Sequence, residues 1–183
     1  MPSAYTGFIE SFITLGKSSF THTPMHGGSY YIPGPNEAKF LEVYSEELKK
    51  GQHLYFTGKL RDLLPILIDL DFRLPIEKSE RQYTTDVIQE IVRTCRFELG
   101  KYVDLSEKNN TIVMEKEHPI VDEKNNRVKD GIHIMVSGIV TYKYVQLQVR
   151  ERCLPELGKI LAPLNCLNSI HDIVDEVVIG KNN

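Results

Sequence analysis

From Ile66 to Phe72 every second residue is apolar, and the positions between them carry Leu67, Asp69, Asp71 and then Arg73. Side chains of an extended strand alternate faces, so Ile66, Ile68, Leu70 and Phe72 share one face. Leu67, Asp69, Asp71 and Arg73 share the other. The pattern predicts a strand packed on a core through one face and holding two carboxylates roughly 7 Å apart at their Cα atoms on the other. Like charges that close on a half-buried strand repel each other, resist desolvation and call for a cation. A divalent metal meets that need, although a surface strand with solvated acids shows the same pattern when taken alone.

The rest of the chain alternates helical and extended patterns. The first 35 residues are rich in Ser, Thr, Gly and Pro (Ser18-Ser19, Gly27-Gly28-Ser29, Pro33-Gly34-Pro35) and read as an irregular arm with short strands. Asn36 is expected to cap a helix with Phe40, Leu41, Tyr44 and Leu48 on one face, stopped by Gly51. Leu54-Tyr55-Phe56 reads as a strand leading to the Asp-x-Asp strand. Thr85 or Asp86 opens a second helix with Val87, Ile88, Ile91, Val92 and Cys95 inward, ending near Gly100. Thr111 to Glu115 reads as a short strand, 124–127 as a turn, and Gly131 to Ser137 as another strand. A helix is expected from Tyr144 to Leu161, with its continuity in question at Pro155 and Gly158. The β-branched run Ile173 to Ile179 reads as a last strand. This order of elements suggests an α+β fold on a mostly antiparallel sheet, with residues 1–35 as an N-terminal arm and 36–183 as the core.

Composition narrows the function classes. The 183 residues are 41% hydrophobic and include nine Tyr and seven Phe, ample for a packed core. No apolar run approaches the ~18–20 residues of a membrane span, so no membrane partner is expected. Three cysteines without CxxC spacing argue for a reducing compartment and against a disulfide framework or zinc module. A net charge of −3 and a pI near 6.1 give no global nucleic-acid footprint. They leave room for an enzyme whose acids are neutralised by bound metal. The sequence contains no GxxxxGK[ST], HExxH, GxSxG or GxGxxG motif, so no P-loop motor is encoded here.

Two further segments fit the acids of the first strand. In Lys129-Asp130-Gly131-Ile132-His133 the period of two puts Lys129, Gly131 and His133 on one face. Lys129 can supply charge to a phosphate, His133 a hydrogen bond, and Gly131 clears room for a ligand near the backbone. Asp175 would complete an oxygen-rich set for Mg²⁺ or Mn²⁺, with Asp172 and Glu176 as competitors. Asp172 can equally cap its segment. Thr21-His22-Thr23 could bond a ligand, whereas His26, His53, His118 and His171 show no ligand spacing.

In this order the segments resemble the motifs of the archaeo-eukaryotic primase superfamily. Leu67 to Arg73 resembles its first motif, apolar residues around Asp-x-Asp. Gly131-Ile132-His133 resembles its second, and Val174-Asp175 its third, with about 60 and about 40 residues between them. Thr21 to Thr23, Gly28 to Pro33, Lys129-x-Gly131-x-His133 and the ending Asp175 to Val178 further resemble the N-terminal primase domain of poxvirus and giant-virus primase–helicases. Members of that group continue into a Trp/Tyr-Gly-Ser segment and a superfamily-3 helicase. This chain stops at Lys181-Asn182-Asn183, so a fragment or a split gene is expected.

The resemblance implies the primase catalytic fold, an RRM-like antiparallel sheet flanked by helices. It implies primer synthesis on a single-stranded DNA template by two-metal nucleotidyl transfer from NTPs or dNTPs. Asp69, Asp71 and Asp175 would hold Mg²⁺ or Mn²⁺, while His133, Lys129 and Arg73 would bind the nucleotide, with Arg73 equally able to pair with an acid. Tyr30, Tyr31, Tyr142 and Tyr144 are candidates for template stacking or the core. A helicase of possible hexameric state would be the covalent partner, and a viral replication factory the location. The alternatives are a non-catalytic nucleic-acid-binding or assembly module of a replicative helicase, and a metal-dependent nuclease.

Overall fold

A computed structural model describes residues 4–13, 20–24, 27–52, 54–59 and 61–180 of the protein. Ser18, Ser19, His26, His53 and the 181–183 terminus lie outside the described residues. The chain divides into two compact units, 1–59 and 60–183.

The first unit contains α1 (Ala4–Glu10), β1 (His22–Pro24), α2 (Gly34–Lys49) and β2 (Phe56–Gly58). Strands β1 and β2 pair antiparallel, His22 opposite Gly58. The small core is Ile9, Ile32 and Phe40, with Tyr30, Tyr44, Leu54 and Phe56 packed against it. Three sequence expectations change here. The N-cap of α2 is Pro33, not Asn36, because Pro33 is extended and Pro35 fits the first turn, where a missing N–H leaves nothing unsatisfied. Leu41 and Leu48 are exposed rather than inward, and Glu47 is buried instead, its Oε1 2.7 Å from Lys50 Nζ. Of the expected strand Leu54–Phe56 only Phe56 is extended, as the first residue of β2, which pairs with β1.

The second unit runs β3 (Leu63–Pro75), α3 (Thr85–Leu99), β4 (Thr111–Glu115), β5 (Ile120–Asp122), β6 (Arg127–Tyr142), α4 (Lys143–Leu161), α5 (Ile170–Ile173) and β7 (Val174–Asp175). The sheet order is β4-β6-β3-β7, with β5 also on β6, and every pairing is antiparallel. Alternation along β3 buries Ile66, Leu70 and Phe72, as its sequence predicts, leaves Ile68 half-buried, and extends the buried row to Leu64 and Leu74. Leu70 and Phe72 are wholly buried, and each such side chain contributes about 1.5–3 kcal/mol. Val128, Ile132, Ile134 and Val136 of β6 extend the same apolar face.

Helices α3 and α4 cover that face. The Thr84 hydroxyl accepts from Val87 N to cap α3, and Ile91, Cys95 and Leu99 turn inward four residues apart. Helix α4 continues through Pro155 and Gly158, burying Val149, Cys153, Leu154, Leu157 and Leu161. All three cysteines are free. Cys95 and Cys153 share a hydrogen bond in the core, which together with burial pushes the Cys95 thiol well above its ordinary value.

The expected last strand, Ile173 to Ile179, is reduced to the two residues of β7, followed by a 3₁₀ turn at Val177–Ile179. The Asp175 carboxylate accepts from Val177 N at 2.9 Å, a local bond that replaces the ladder with the turn, whose Ile179 remains buried. Among the described residues, no helix is long and apolar enough to cross a membrane.

Candidate active site on the open face of the sheet

The two-residue period of β3 puts Asp69, Asp71 and Arg73 on the face opposite the helix-covered core. The register then brings the other segments beside them. Asp69 pairs with His133, Asp71 with Gly131 and Arg73 with Lys129 across β6, while Asp175 pairs with Asp69 across β7. Asp69 therefore stands in a row between His133 and Asp175, three neighbouring strands deep.

His133 Nε2 lies 3.0 Å from Asp69 Oδ1, with 63% of the His side chain and 20% of the Asp side chain exposed. Arg73 Nε is 3.6 Å from Asp71 Oδ2, and Lys116 Nζ is 3.9 Å from Asp71 Oδ1. Burial raises the Asp69 carboxyl above its ordinary value, opposed by His133 and reinforced by Asp175 and Asp71. Lys129 reaches Asp122 instead, at 3.3 Å. Bonds from Asn125, Arg127 and Lys129 hold Asp122 down to about 2 against the effect of burial. Asp172 belongs to a helix cap: the Ser169 hydroxyl donates to its Oδ2 at 2.7 Å and keeps it below the usual carboxylate range. Glu176 begins the 3₁₀ turn that follows β7.

Three all-oxygen side chains of one charge, crowded on adjacent strands, suit a hard divalent cation such as Mg²⁺ or Mn²⁺. Arg73 Nε beside them is buried without a hydrogen-bond partner. As placed, however, no group of three or more His, Cys, Asp or Glu among the described residues is close enough to hold a metal ion. The donor chemistry of the three carboxylates fits such ions.

Polar side chains outside the sequence motifs, half-buried or buried, support these strands. The Asn168 side chain extends the sheet edge where β7 ends: Nδ2 donates to Asp71 O at 2.8 Å, and Oδ1 accepts from Arg73 N at 3.0 Å. Arg150 is buried in α4, donating from Nε to Val174 O at 2.8 Å and from Nη2 to His171 O at 2.6 Å. One turn earlier, Gln146 donates to Leu64 O and Pro65 O at the start of β3. Asp130 has no exposed surface and pairs with Arg81, whose Nε donates to Oδ2 at 3.1 Å. An acid at an inward position of the β6 pattern is a legible sign of such a pair. Nothing in the local sequence marks Asn168.

Of the aromatic candidates, Tyr142 and Tyr144 stack on each other, 5.5 Å between centroids and 13° between planes, and remain exposed. In the first unit Tyr31 is exposed and Tyr30 packs edge-on against Phe56. Thr21 Oγ1 accepts from Ile32 N at 2.8 Å, a structural bond.

The second unit is thus mixed α/β, with an antiparallel sheet that carries two acids on one strand, a histidine on the next and a third acid on the far side. Residues 21–183 match the family described as the C962R protein N-terminal AEP domain, and the chain belongs to that archaeo-eukaryotic primase-type family. It is 32% identical over 166 residues to "Putative helicase L207/L206" of Acanthamoeba polyphaga mimivirus, covering 88% of this chain and 17% of that protein. It is 28% identical over 131 residues to "Putative helicase 184R" of Invertebrate iridescent virus 6, covering 62% of this chain and 14% of that one. The chain thus spans less than a fifth of the length of these curated relatives.

Proposed function

We propose that this domain is the nucleotidyl-transfer unit of a viral primase–helicase, starting primers on single-stranded DNA. The observation that carries the reading is the row His133–Asp69–Asp175, with Asp71 two residues further along β3, on the open face of the sheet. Family membership supports a nucleotidyltransferase, and the helicase names of the longer relatives support a helicase partner in the same polypeptide.

Asp69, Asp71 and Asp175 would hold the divalent ions. Bound Mg²⁺ or Mn²⁺ supplies neutralisation of phosphate charge and a lowered pKa for the attacking 3′-hydroxyl. The protein contributes position and electrostatics. His133 is exposed and free to pivot from Asp69 to a phosphate oxygen of the incoming nucleotide. Arg73 stands over Asp71 with an unused Nε. Lys129 would have to leave Asp122 to join them.

A second reading, a non-catalytic nucleic-acid-binding module, is favoured by the acids' spacing, which does not hold a metal as placed. Incubation of the chain with labelled nucleotides, single-stranded DNA and Mn²⁺ separates the two. Template-dependent products that disappear in Asp69→Ala support nucleotidyl transfer. DNA binding without product or Mn²⁺ binding supports the module, and shortening of the template would mark a nuclease.

A further inference from the structure

We propose that Lys116 is a phosphate-binding residue of this site and that the pair of half-buried Arg81 with wholly buried Asp130 is the post that positions it. The inference rests on the nucleotidyl-transfer reading above and assigns the triphosphate a further ligand.

Strand β4 ends at Glu115, opposite Ile132, and Lys116 is the residue at which the chain leaves the sheet. Such exits are seldom tied down. Here the Lys116 carbonyl accepts from Arg81 Nη2, and Arg81 Nη1 is 3.2 Å from Glu115 Oε1. Arg81 Nε donates to Asp130, whose other oxygen accepts from Gly131 N at 2.9 Å. Gly131 is the residue opposite Asp71. One wholly buried carboxylate therefore ties the exit of β4 to the point of β6 that faces the second acid. Burying an ion pair yields little net stability for its desolvation cost, and fixing a register or a position is a better-attested use.

The device delivers an ammonium group to the acids. Lys116 Nζ stands 3.9 Å from Asp71 Oδ1, beyond the ~2.7–2.9 Å of a charge-assisted hydrogen bond. Arg73 Nε flanks the other oxygen at 3.6 Å, also without a hydrogen bond. Among the described residues these are the Lys and Arg side chains within 4 Å of Asp71. Both keep donors unspent over the carboxylates. A group richer in acceptor oxygens than one carboxylate, such as a di- or triphosphate, satisfies them. Lys129, the lysine suggested by sequence, is held by Asp122.

Lys116 and a metal ion then act on Asp71 with opposite consequences for the two ligands. As a rival cation, Lys116 weakens metal binding slightly; as a phosphate ligand, it strengthens nucleotide binding. Lys116→Met in the 183-residue chain tests this, because the side chain is over a third exposed and its loss leaves the core untouched. Calorimetry with Mn²⁺ alone should show affinity unchanged or raised by up to about fivefold, the scale of an exposed ion pair. Titration of the Mn²⁺-loaded protein with a non-hydrolysable nucleoside triphosphate should show affinity lowered about tenfold or more. The unphosphorylated nucleoside should bind both proteins alike. Arg81→Lys, which keeps the charge but loses the fork, should reproduce part of the triphosphate loss.

Equal loss of Mn²⁺ and triphosphate affinity in Lys116→Met would make the lysine merely structural and overturn the proposal. So would wild-type triphosphate affinity in the variant, while leaving nucleotidyl transfer intact as a reading. A wild-type chain that binds neither Mn²⁺ nor triphosphate would overturn both.

Discussion

Asp69 and His133 are direct cross-strand partners, with Oδ1 and Nε2 3.0 Å apart, and Asp175 faces Asp69 from the opposite strand. One carboxylate is thus shared between a base and a second acid. It is the most enclosed of the strand's two acids, and its charge is the least comfortable.

Replacing that acid separates chemistry from folding. Asp69→Ala or Asp71→Ala should reduce metal-dependent primer synthesis at least about a hundredfold, the scale seen when a single preorganised electrostatic contact is removed. The apolar face of β3, including the wholly buried Leu70 and Phe72, is unchanged. Circular-dichroism melting should therefore stay within a few degrees of wild type. Parallel loss of synthesis and melting temperature would mark the acids as structural.

Asp69 also gives a pH signature. Its carboxyl is raised above 3.8, so the native state binds this proton more tightly than the unfolded chain. The stability linked to that proton is present at low pH and falls as pH rises from about 3.8 through the native value. Asp69→Asn escapes the loss. In EDTA at pH 7 its melting temperature should lie at or above that of wild type, and the gap should close towards pH 3. Saturating Mn²⁺ should reverse the order, since only the carboxylate gains from the ion. A wild type more stable than Asp69→Asn at pH 7 without metal would contradict this picture.

Arg150 holds the third acid's strand through two carbonyls, Val174 O and His171 O. Arg150→Met leaves both without their donor and should cost about 2–4 kcal/mol in urea unfolding. Arg150→Lys can keep one bond and should recover part of the loss. If Arg150→Met unfolds like wild type, β7 has another anchor.

Gly131 is a matter of space. A Cβ there would lie 2.7 Å from Leu70 O, a backbone atom that cannot swing aside. Gly131→Ala should therefore spread β3 from β6 beside Asp71, costing about 1–3 kcal/mol. Synthesis should fall by more than the lost stability explains, measured on protein kept below its melting temperature. Wild-type stability in the alanine variant would show that the strands part freely.

β3, α3 and β4 were legible because their side-chain periods are strict, alternation for the strands and three- and four-residue spacing with Gly100 at its end for the helix, whose cap is Thr84 rather than the expected Thr85 or Asp86. The juxtaposition of Asp69 with His133 is a matter of register, which no local pattern of either strand reveals. The segment Ile173–Ile179 misled because β-branched residues favour strands. Beyond Asp175 its carboxylate caps Val177 N and the ladder on β3 gives way to a 3₁₀ turn, while Asn168 takes the β3 edge on the other side of β7, at Asp71 and Arg73. Asp130 and Arg150, charged residues at inward positions, form pairs across 49 and up to 24 residues of chain. Only a folded structure brings such partners together.

The long pairing of β3 with β6 is broken once, between Pro65↔Val140 and Ile66↔Val136, where β6 loops out Ser137, Gly138 and Ile139 while β3 runs straight. Asn109 and Asn110 stitch this loop from the β4 side, and Gln146 clasps the β3 side. The loop works as a slack coil between two halves of the ribbon. A shift at the far end of the ribbon, where Leu63–Pro65 pair with Val140–Tyr142, is separated by this loop from Asp69 and His133, whose slip would turn every acid to the core. Gly138, exposed and at φ 74°, is consequently the point where this face of the sheet is expected to accept a change in length, such as an inserted reporter, without disturbing the Asp69–His133 register.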